Sequence, residues 1–339
     1  MWKPLALLLA AALLALALTS PLTACKQTPP AKVPRTVKAV VTVAPLKSLV
    51  EPLLPPGSSV TILMQPGRSE HGYEFTPADV AALADANLVV YVGLGLEGQL
   101  ESILAKQNAP NRELVCFAEA VGLKSDHDHA HDHDHKHDHH AHDDHDHDHA
   151  HDEVNQDPHL WLDPVVVEAF LPTLSASVLK ASSTPGSSIE SDLARVEAAT
   201  TKLRTRVHEV HEAWKSRLEP YKGRAVVTHH NAFARPAARY GFKVAAVIRE
   251  FDSDPTPADL AKVADAIRAH NVSTIFIEPQ YSPAAANKIR DIAGVTVSTL
   301  DPLGDGDWFA MMQRNLDALA KGLESASPAP ATPTTTGAK

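Results

Sequence analysis

Residues 188–219 read SIESDLARVEAATTKLRTRVHEVHEAWKSRLE. Apolar side chains recur there at steps of three, four or seven residues, at Ile189, Leu193, Val196, Leu203, Val207, Val210, Trp214 and Leu218. This spacing predicts one helix, with a capping box formed by Ser187 and Glu190 at its start and Pro220 at its end. At about 1.5 Å per residue the helix is roughly 45–50 Å long, enough for a rigid connection between two domains.

Short apolar runs alternate with helical patterns on both sides of this segment, which is typical of α/β units with a mostly parallel sheet. Strands are predicted at 37–43, 60–63, 88–92 and 113–117, and again at 224–228, 243–247, 274–278 and 296–299. Helices are predicted at 44–54, 76–84, 96–107, 232–240, 257–270, 283–293 and 308–323. The predicted fold class is therefore α/β, with a lobe at 37–180, a connecting helix at 187–219 and a similar lobe at 221–323.

The first 24 residues are predicted to be a signal peptide, because Lys3 precedes an unbroken Leu/Ala run from Leu5 to Leu18. The run ends in Leu-Thr-Ala-Cys25, which resembles a bacterial lipobox. A lipid on Cys25 would tether the protein to a membrane outside the cytoplasm; the alternative is an ordinary cleaved signal with a chance cysteine.

Residues 25–36 are interpreted as a Pro/Lys tether and residues 324–339 as a disordered tail. With Cys25 acylated, Cys116 has no disulfide partner and is interpreted as a buried structural thiol. The formal net charge of −10 argues against a nucleic-acid partner. We expect a monomer.

Residues 126–152 form a His/Asp-rich insert that holds thirteen histidines and ten aspartates. Its largest apolar side chain is alanine, so ordering it would bury almost nothing, and we predict a disordered segment. Imidazoles and carboxylates suit transition metals, although a solvated charged linker is the alternative. The histidines expected to bind accessory metal are His127, His129, His131, His133, His135, His137, His139, His140, His142, His145, His147, His149 and His151.

Four further residues lie in loops that follow predicted strands or the insert, and parallel sheets bind ligands at such loops. They are His71, His159, His230 and Asp301. Any one of these histidines taken singly is more often structural than a ligand. His208 and His211, three apart on the predicted long helix, are interpreted as solvated helix surface.

The loops carry motifs that resemble the zinc-uptake solute-binding proteins of bacterial ABC transporters. The motifs are Ser-Glu-His-x-Tyr-Glu-x-Thr-Pro at 69–77, Asp-Pro-His-x-Trp-Leu-Asp-Pro at 157–164, His-Asn-Ala-Phe at 230–233 and Leu-Asp-Pro-Leu-Gly at 300–304. The resemblance covers residues 37–323 and implies one metal held in a cleft between two lobes. It implies the ligands His71, His159, His230 and Asp301, with Glu70 or a water as the alternative fourth ligand. His229, adjacent to His230, is the alternative third histidine.

Three imidazoles and one oxygen form a normal tetrahedral Zn²⁺ set. The expected function is capture of Zn²⁺ in the periplasm or at the cell surface and its delivery to an ABC permease with its ATPase subunit. No catalysis is expected, and the His/Asp-rich insert would collect or sense zinc. The alternatives are a manganese or iron importer, a metal buffer or adhesin, and a secreted zinc hydrolase with Glu70 or Glu74 as its base.

Overall fold

The computed structural model describes residues 35–107, 109–124, 156–183, 189–249 and 255–325. These residues belong to one compact unit that begins at Pro34. Several predictions lie outside them: the signal peptide, the lipid on Cys25, the His/Asp-rich insert, the capping box at Ser187, and the tail beyond Ser325.

Two four-stranded parallel sheets organise the described chain. The first has the order β2-β1-β3-β4, and the second has the equivalent order β6-β5-β7-β8. The strands are β1 Lys38–Val43, β2 Ser59–Met64, β3 Leu88–Tyr91, β4 Glu113–Cys116, β5 Ala225–Thr228, β6 Lys243–Val247, β7 Thr274–Ile277 and β8 Thr296–Thr299. Each predicted strand is confirmed to within one residue at either end.

Helices connect the strands. They are α1 Lys47–Val50, α2 Pro77–Asp85, α3 Leu100–Ala105, α4 Phe117–Ala120, α5 Pro164–Ser182, α6 Ile189–Leu218, α7 Ala234–Tyr240, α8 Pro257–His270, α9 Ala284–Ala293 and α10 Trp308–Glu324. Short 3₁₀ turns lie at Ala44–Leu46, Glu51–Leu53, Leu160–Leu162, Glu219–Tyr221 and Asn231–Phe233. The helix predicted at 44–54 is thus a series of short turns around α1, because Pro45 and Pro52 break the α-helical hydrogen bonding.

Helix α6 is the predicted connecting helix, and it contributes buried side chains to a core shared by both lobes. Its Trp214 is fully buried, and the indole N–H donates to the carbonyl of Met312 on α10 at 3.2 Å. Helix α10 closely approaches the second sheet, where a Cβ on Gly322 would lie 2.6 Å from the Phe276 ring. A bulkier residue at Gly322 would therefore separate α10 from β7.

Helix α5 was not predicted from the sequence. It is apolar around most of its circumference and contains Pro172, so it lacks the one-sided pattern of a surface helix. Its length and composition would fit a membrane span, but Val167, Phe170 and Leu174 are buried in the core. Phe170 stacks on Phe117 with ring centroids 4.2 Å apart. The helix therefore packs the first lobe against α6.

Candidate metal centre

Four side chains from both lobes converge at one point. Glu70, His71, His159 and His230 each offer a ligand atom, and these atoms all lie within 4.8 Å of one another. Glu70 and His71 lie in the loop between β2 and α2, which is flanked by Gly67 at φ 82° and Gly72 at φ 69°. That left-handed backbone favours glycine, so the chain can turn sharply on each side of the two ligand-type residues.

Three of the four donor atoms have separations close to those of a tetrahedral ion site. His159 Nε2 lies 3.0 Å from His230 Nε2 and 3.2 Å from Glu70 Oε1, and His230 Nε2 lies 3.5 Å from Glu70 Oε1. Ligands about 2.0–2.2 Å from a Zn²⁺ ion in a tetrahedron lie about 3.3–3.6 Å apart. The Glu70 carboxylate is fully buried, and its Oε2 has no hydrogen-bond partner among the described residues. A buried carboxylate oxygen of this kind suits a cation.

Asp157 orients His159. Asp157 Oδ1 accepts from the His159 backbone N–H at 3.0 Å and lies 2.6 Å from its ring Nδ1. The Asp157 carbonyl in turn accepts from the guanidinium of Arg235 on α7, at 3.0 Å from Nε and 2.7 Å from Nη2. A partner at Nδ1 directs Nε2 of the ring toward Glu70 and His230. Arg235 belongs to the second lobe, so both lobes hold this histidine.

Glu278 orients His230 in the same way. His230 follows β5, Glu278 follows β7, and the two strands are paired in the second sheet. Oε1 of Glu278 hydrogen-bonds Nδ1 of His230, and Oε2 accepts from the Gln280 side chain at 2.8 Å. The order of the sheet reverses direction between β5 and β7, which is where open parallel sheets bind ligands.

The roles of Glu278 and Asp157 were not predicted from the sequence, although each residue stands in an informative position. Glu278 is the last residue of a predicted strand and precedes a proline, a position at the carboxyl edge of a parallel sheet, where ligands bind. Asp157 lies two residues before His159, a spacing at which an aspartate can hydrogen-bond the following backbone.

The charges in this cluster are strongly coupled. Burial raises the pKa of Glu70, but the hydrogen bonds from His159 and His230 outweigh it and hold the pKa well below its ordinary value. Burial has the opposite effect on a histidine and lowers the pKa of His230. Glu278 and Glu70 overcome that effect and raise this pKa to about 10. The pKa of His159 is also raised, since Asp157 and Glu70 outweigh its burial. His159 and His230 therefore retain protons at pH values where free imidazole would be neutral.

Among the described residues, Glu70 and not Asp301 lies in the group with the three histidines. Oδ1 of Asp301 accepts from the backbone N–H groups of Leu303 at 3.1 Å and Gly304 at 2.8 Å. The Asp301 backbone exchanges two hydrogen bonds with the Asn315 side chain on α10. The aspartate expected as the fourth ligand thus caps a turn, because the loop after β8 is fastened to α10.

His229 and His230 point in different directions. His230 has extended backbone, with φ −131° and ψ −178°, and successive side chains of extended chain project to opposite sides. The His229 ring instead stacks on Tyr281, with centroids 4.2 Å apart and planes 15° apart. His208, whose side chain is 58% exposed, remains on the surface of α6, while the partly buried His211 lies 3.2 Å from the Tyr240 hydroxyl.

Residues 39–322 match the ZnuA family, described as zinc-uptake complex component A, periplasmic. The chain belongs to this family. ZnuA-family proteins are solute-binding components of ABC transporters and not enzymes. The high-affinity zinc uptake system protein ZnuA of Haemophilus ducreyi is 32% identical over 277 residues, which cover 78% of this chain and 84% of that protein. The protein of the same name from Brucella abortus is 30% identical over 302 residues, covering 82% and 88%.

A solved ZnuA crystal structure has the same fold. It aligns with a TM-score of 0.66 at 21% identity and covers 85% of this chain and 99% of that one. The resemblance to zinc-uptake solute-binding proteins drawn from the four motifs is therefore confirmed, and so is the α/β architecture of two parallel sheets with a long helix.

Proposed function

We propose that this protein binds one Zn²⁺ between its lobes through Glu70, His71, His159 and His230 and delivers it to an ABC permease with its ATPase subunit. The observation that carries the proposal is the convergence of these four ligand atoms within 4.8 Å from two lobes. Closure of two lobes around an ion allows capture, and their separation allows release to a permease.

Three imidazoles and one carboxylate favour Zn²⁺ over Mn²⁺, because manganese prefers more oxygen ligands. The carboxylates of Asp157 and Glu278 support the same choice. Asp157 lies against Nδ1 of His159 and Glu278 against Nδ1 of His230, the ring nitrogens that face away from the proposed ion. Such pairs fix the ring tautomer and increase the basicity of the ligating nitrogen. A manganese or iron importer is the alternative within this family.

The proposal extends to the rest of the chain. Residues 1–24 would be a cleaved signal peptide, and a lipid on Cys25 would anchor a monomer outside the cytoplasm through the tether at 25–36. The His/Asp-rich insert at 126–152 would collect or sense zinc within the lobe at 37–180. The lobe at 221–323 would complete the site.

Calorimetry on the mature chain tests the proposal. We expect one tight Zn²⁺ site that is lost in the His71→Ala, His159→Ala double variant. The matched control is His208→Ala with His211→Ala, which removes two histidines from α6 outside the cluster. An intact tight site in the first double variant would show that zinc binds elsewhere.

Two further measurements test the role of the insert and the choice of metal. Deleting 126–152 should remove weaker zinc equivalents and preserve the tight site, whereas loss of the tight site would make the insert the primary ligand. Competition between Zn²⁺ and Mn²⁺ should favour zinc; a preference for manganese would select the alternative importer.

A further inference from the structure

A hydrogen bond connects the second lobe to the loop that carries two of the proposed ligands. The Tyr281 hydroxyl donates to Oγ of Ser69 at 2.8 Å, across 212 positions of sequence. The same oxygen accepts from the backbone N–H of His71 at 3.2 Å. Ser69 therefore connects Tyr281 to the chain on both sides of Glu70.

Tyr281 is fixed by the residues around the second-lobe ligand. Its ring stacks on His229, the neighbour of His230, and the Arg249 guanidinium lies 5.1 Å from its ring centroid. Its backbone N–H donates to the carbonyl of Glu278 at 3.2 Å, and the Glu278 carboxylate holds His230. Tyr281 thus has a defined position relative to His230.

Two hydrogen bonds between tryptophans and the opposite lobe involve a different part of the first lobe. The Trp161 indole donates to the carbonyl of Pro302 at 2.6 Å, and Trp308 donates to the carbonyl of Trp161 at 2.7 Å. These bonds involve the turn after His159. The Tyr281–Ser69 bond differs from these two because it ends on the loop of Glu70 and His71, and it differs from the His230–Glu70 contact because neither partner is a proposed ligand. A movement of this loop would displace two ligand atoms.

We propose that Tyr281 and Ser69 form an interlobe latch that holds the Glu70–His71 loop against the second lobe and slows the release of zinc. Tyr281 is a positioning residue, since it acts on the ligands through Ser69. The inference rests on the proposed zinc site and adds the Tyr281–Ser69 bond as a determinant of the rate at which zinc is released. Breaking the latch leaves the ligand set intact but lets the loop move away from His230 more often.

The test measures zinc dissociation by stopped-flow transfer to a chelator in the full mature chain. Tyr281→Phe removes the donor and keeps the ring stack, while Ser69→Ala removes the acceptor. Each variant should release zinc about three- to ten-fold faster, the factor that one neutral hydrogen bond contributes. The association rate should stay unchanged. Tyr221→Phe, on the turn after α6, is the matched control and should match the unmodified chain.

The double variant distinguishes a latch from two unrelated packing changes. If the latch is real, the double variant should release zinc no faster than the faster single variant, because the bond is lost only once. Multiplied effects, or unchanged release in both single variants, would overturn the latch while leaving the zinc site standing. Absence of tight zinc binding by the unmodified chain would instead overturn the proposed function, and the latch with it.

Discussion

Glu278 hydrogen-bonds the Nδ1 atom of His230 across two neighbouring parallel strands, so the ring's Nε2 faces Glu70 and His159. Both carboxylate oxygens of Glu278 are engaged, because Gln280 donates to the other at 2.8 Å. The side chain is 2% exposed. A buried carboxylate held in this way fixes the orientation of the histidine before an ion arrives.

Replacing Glu278 by glutamine should weaken zinc binding. The neutral amide keeps the shape but loses the negative charge that increases the basicity of His230, and such partners contribute about 10–100-fold in metal affinity. A competitive chelator titration measures the change. Glu219→Gln, an exposed residue paired with Lys222, is the matched control. An unchanged affinity for Glu278→Gln would show that His230 needs no such partner.

Glu70 and Asp301 should respond differently to substitution by alanine. Glu70→Ala removes a proposed ligand and should reduce zinc affinity on the order of 100-fold or more. This exceeds the effect of losing a residue that only hydrogen-bonds a ligand. Asp301→Ala leaves two backbone N–H groups without their acceptor and should lower stability by about 1–3 kcal/mol. Its zinc affinity should change little. Calorimetry and thermal unfolding measure the two effects, and the reverse pattern would restore Asp301 as the ligand.

His229→Phe should leave zinc binding intact. Burial lowers the pKa of His229 to about 4, and neither ring nitrogen has a hydrogen-bond partner among the described residues. A phenyl ring preserves the stack on Tyr281 and removes a polar group whose burial is costly. We expect an unchanged or higher Tm. His230→Phe should abolish the tight site, so equal losses in the two variants would contradict the assignment of His230.

Zinc affinity should keep rising with pH well above the range in which free histidine titrates. Glu278 and Glu70 raise the pKa of His230 to about 10 against the opposing effect of burial, so zinc must displace a proton from it below that pH. Calorimetry at pH 8 in buffers of different ionisation enthalpy should detect release of about one proton or more per Zn²⁺. No proton release at pH 8 would mean that His230 is already neutral.

The same pKa shift predicts how the zinc-free protein responds to base. A histidine whose folded pKa is raised contributes stability that is complete below about pH 6.5 and is lost as the pH rises to about 10. The Tm of the zinc-free protein should therefore fall between pH 7 and 10. His230→Gln should have a flatter profile over that range. Equal slopes in both proteins would assign the loss to other groups.

The sequence by itself determined the strands, the long helix and the loops that carry His71, His159 and His230. Strands and amphipathic helices can be predicted from the local spacing of Val, Ile, Leu and other apolar residues. This spacing can be read without knowledge of distant residues. The apolar helix Pro164–Ser182 was missed because a helix buried on most sides has no such period. The family could be recognised from the same loops because their motifs are contiguous.

Only the tertiary structure decided which side chains meet. Asp301 and Glu70 were both carboxylates in suitable loops, but only Glu70 lies beside the three histidines, because the backbone of Asp301 is attached to Asn315. The partnership of Glu278 with His230 depended on the pairing of β5 with β7, and that of Tyr281 with Ser69 on the approach of two lobes. These contacts join residues 14 to 212 positions apart. Local sequence patterns carry no information about such distances, because they are set by how the sheets and helices pack.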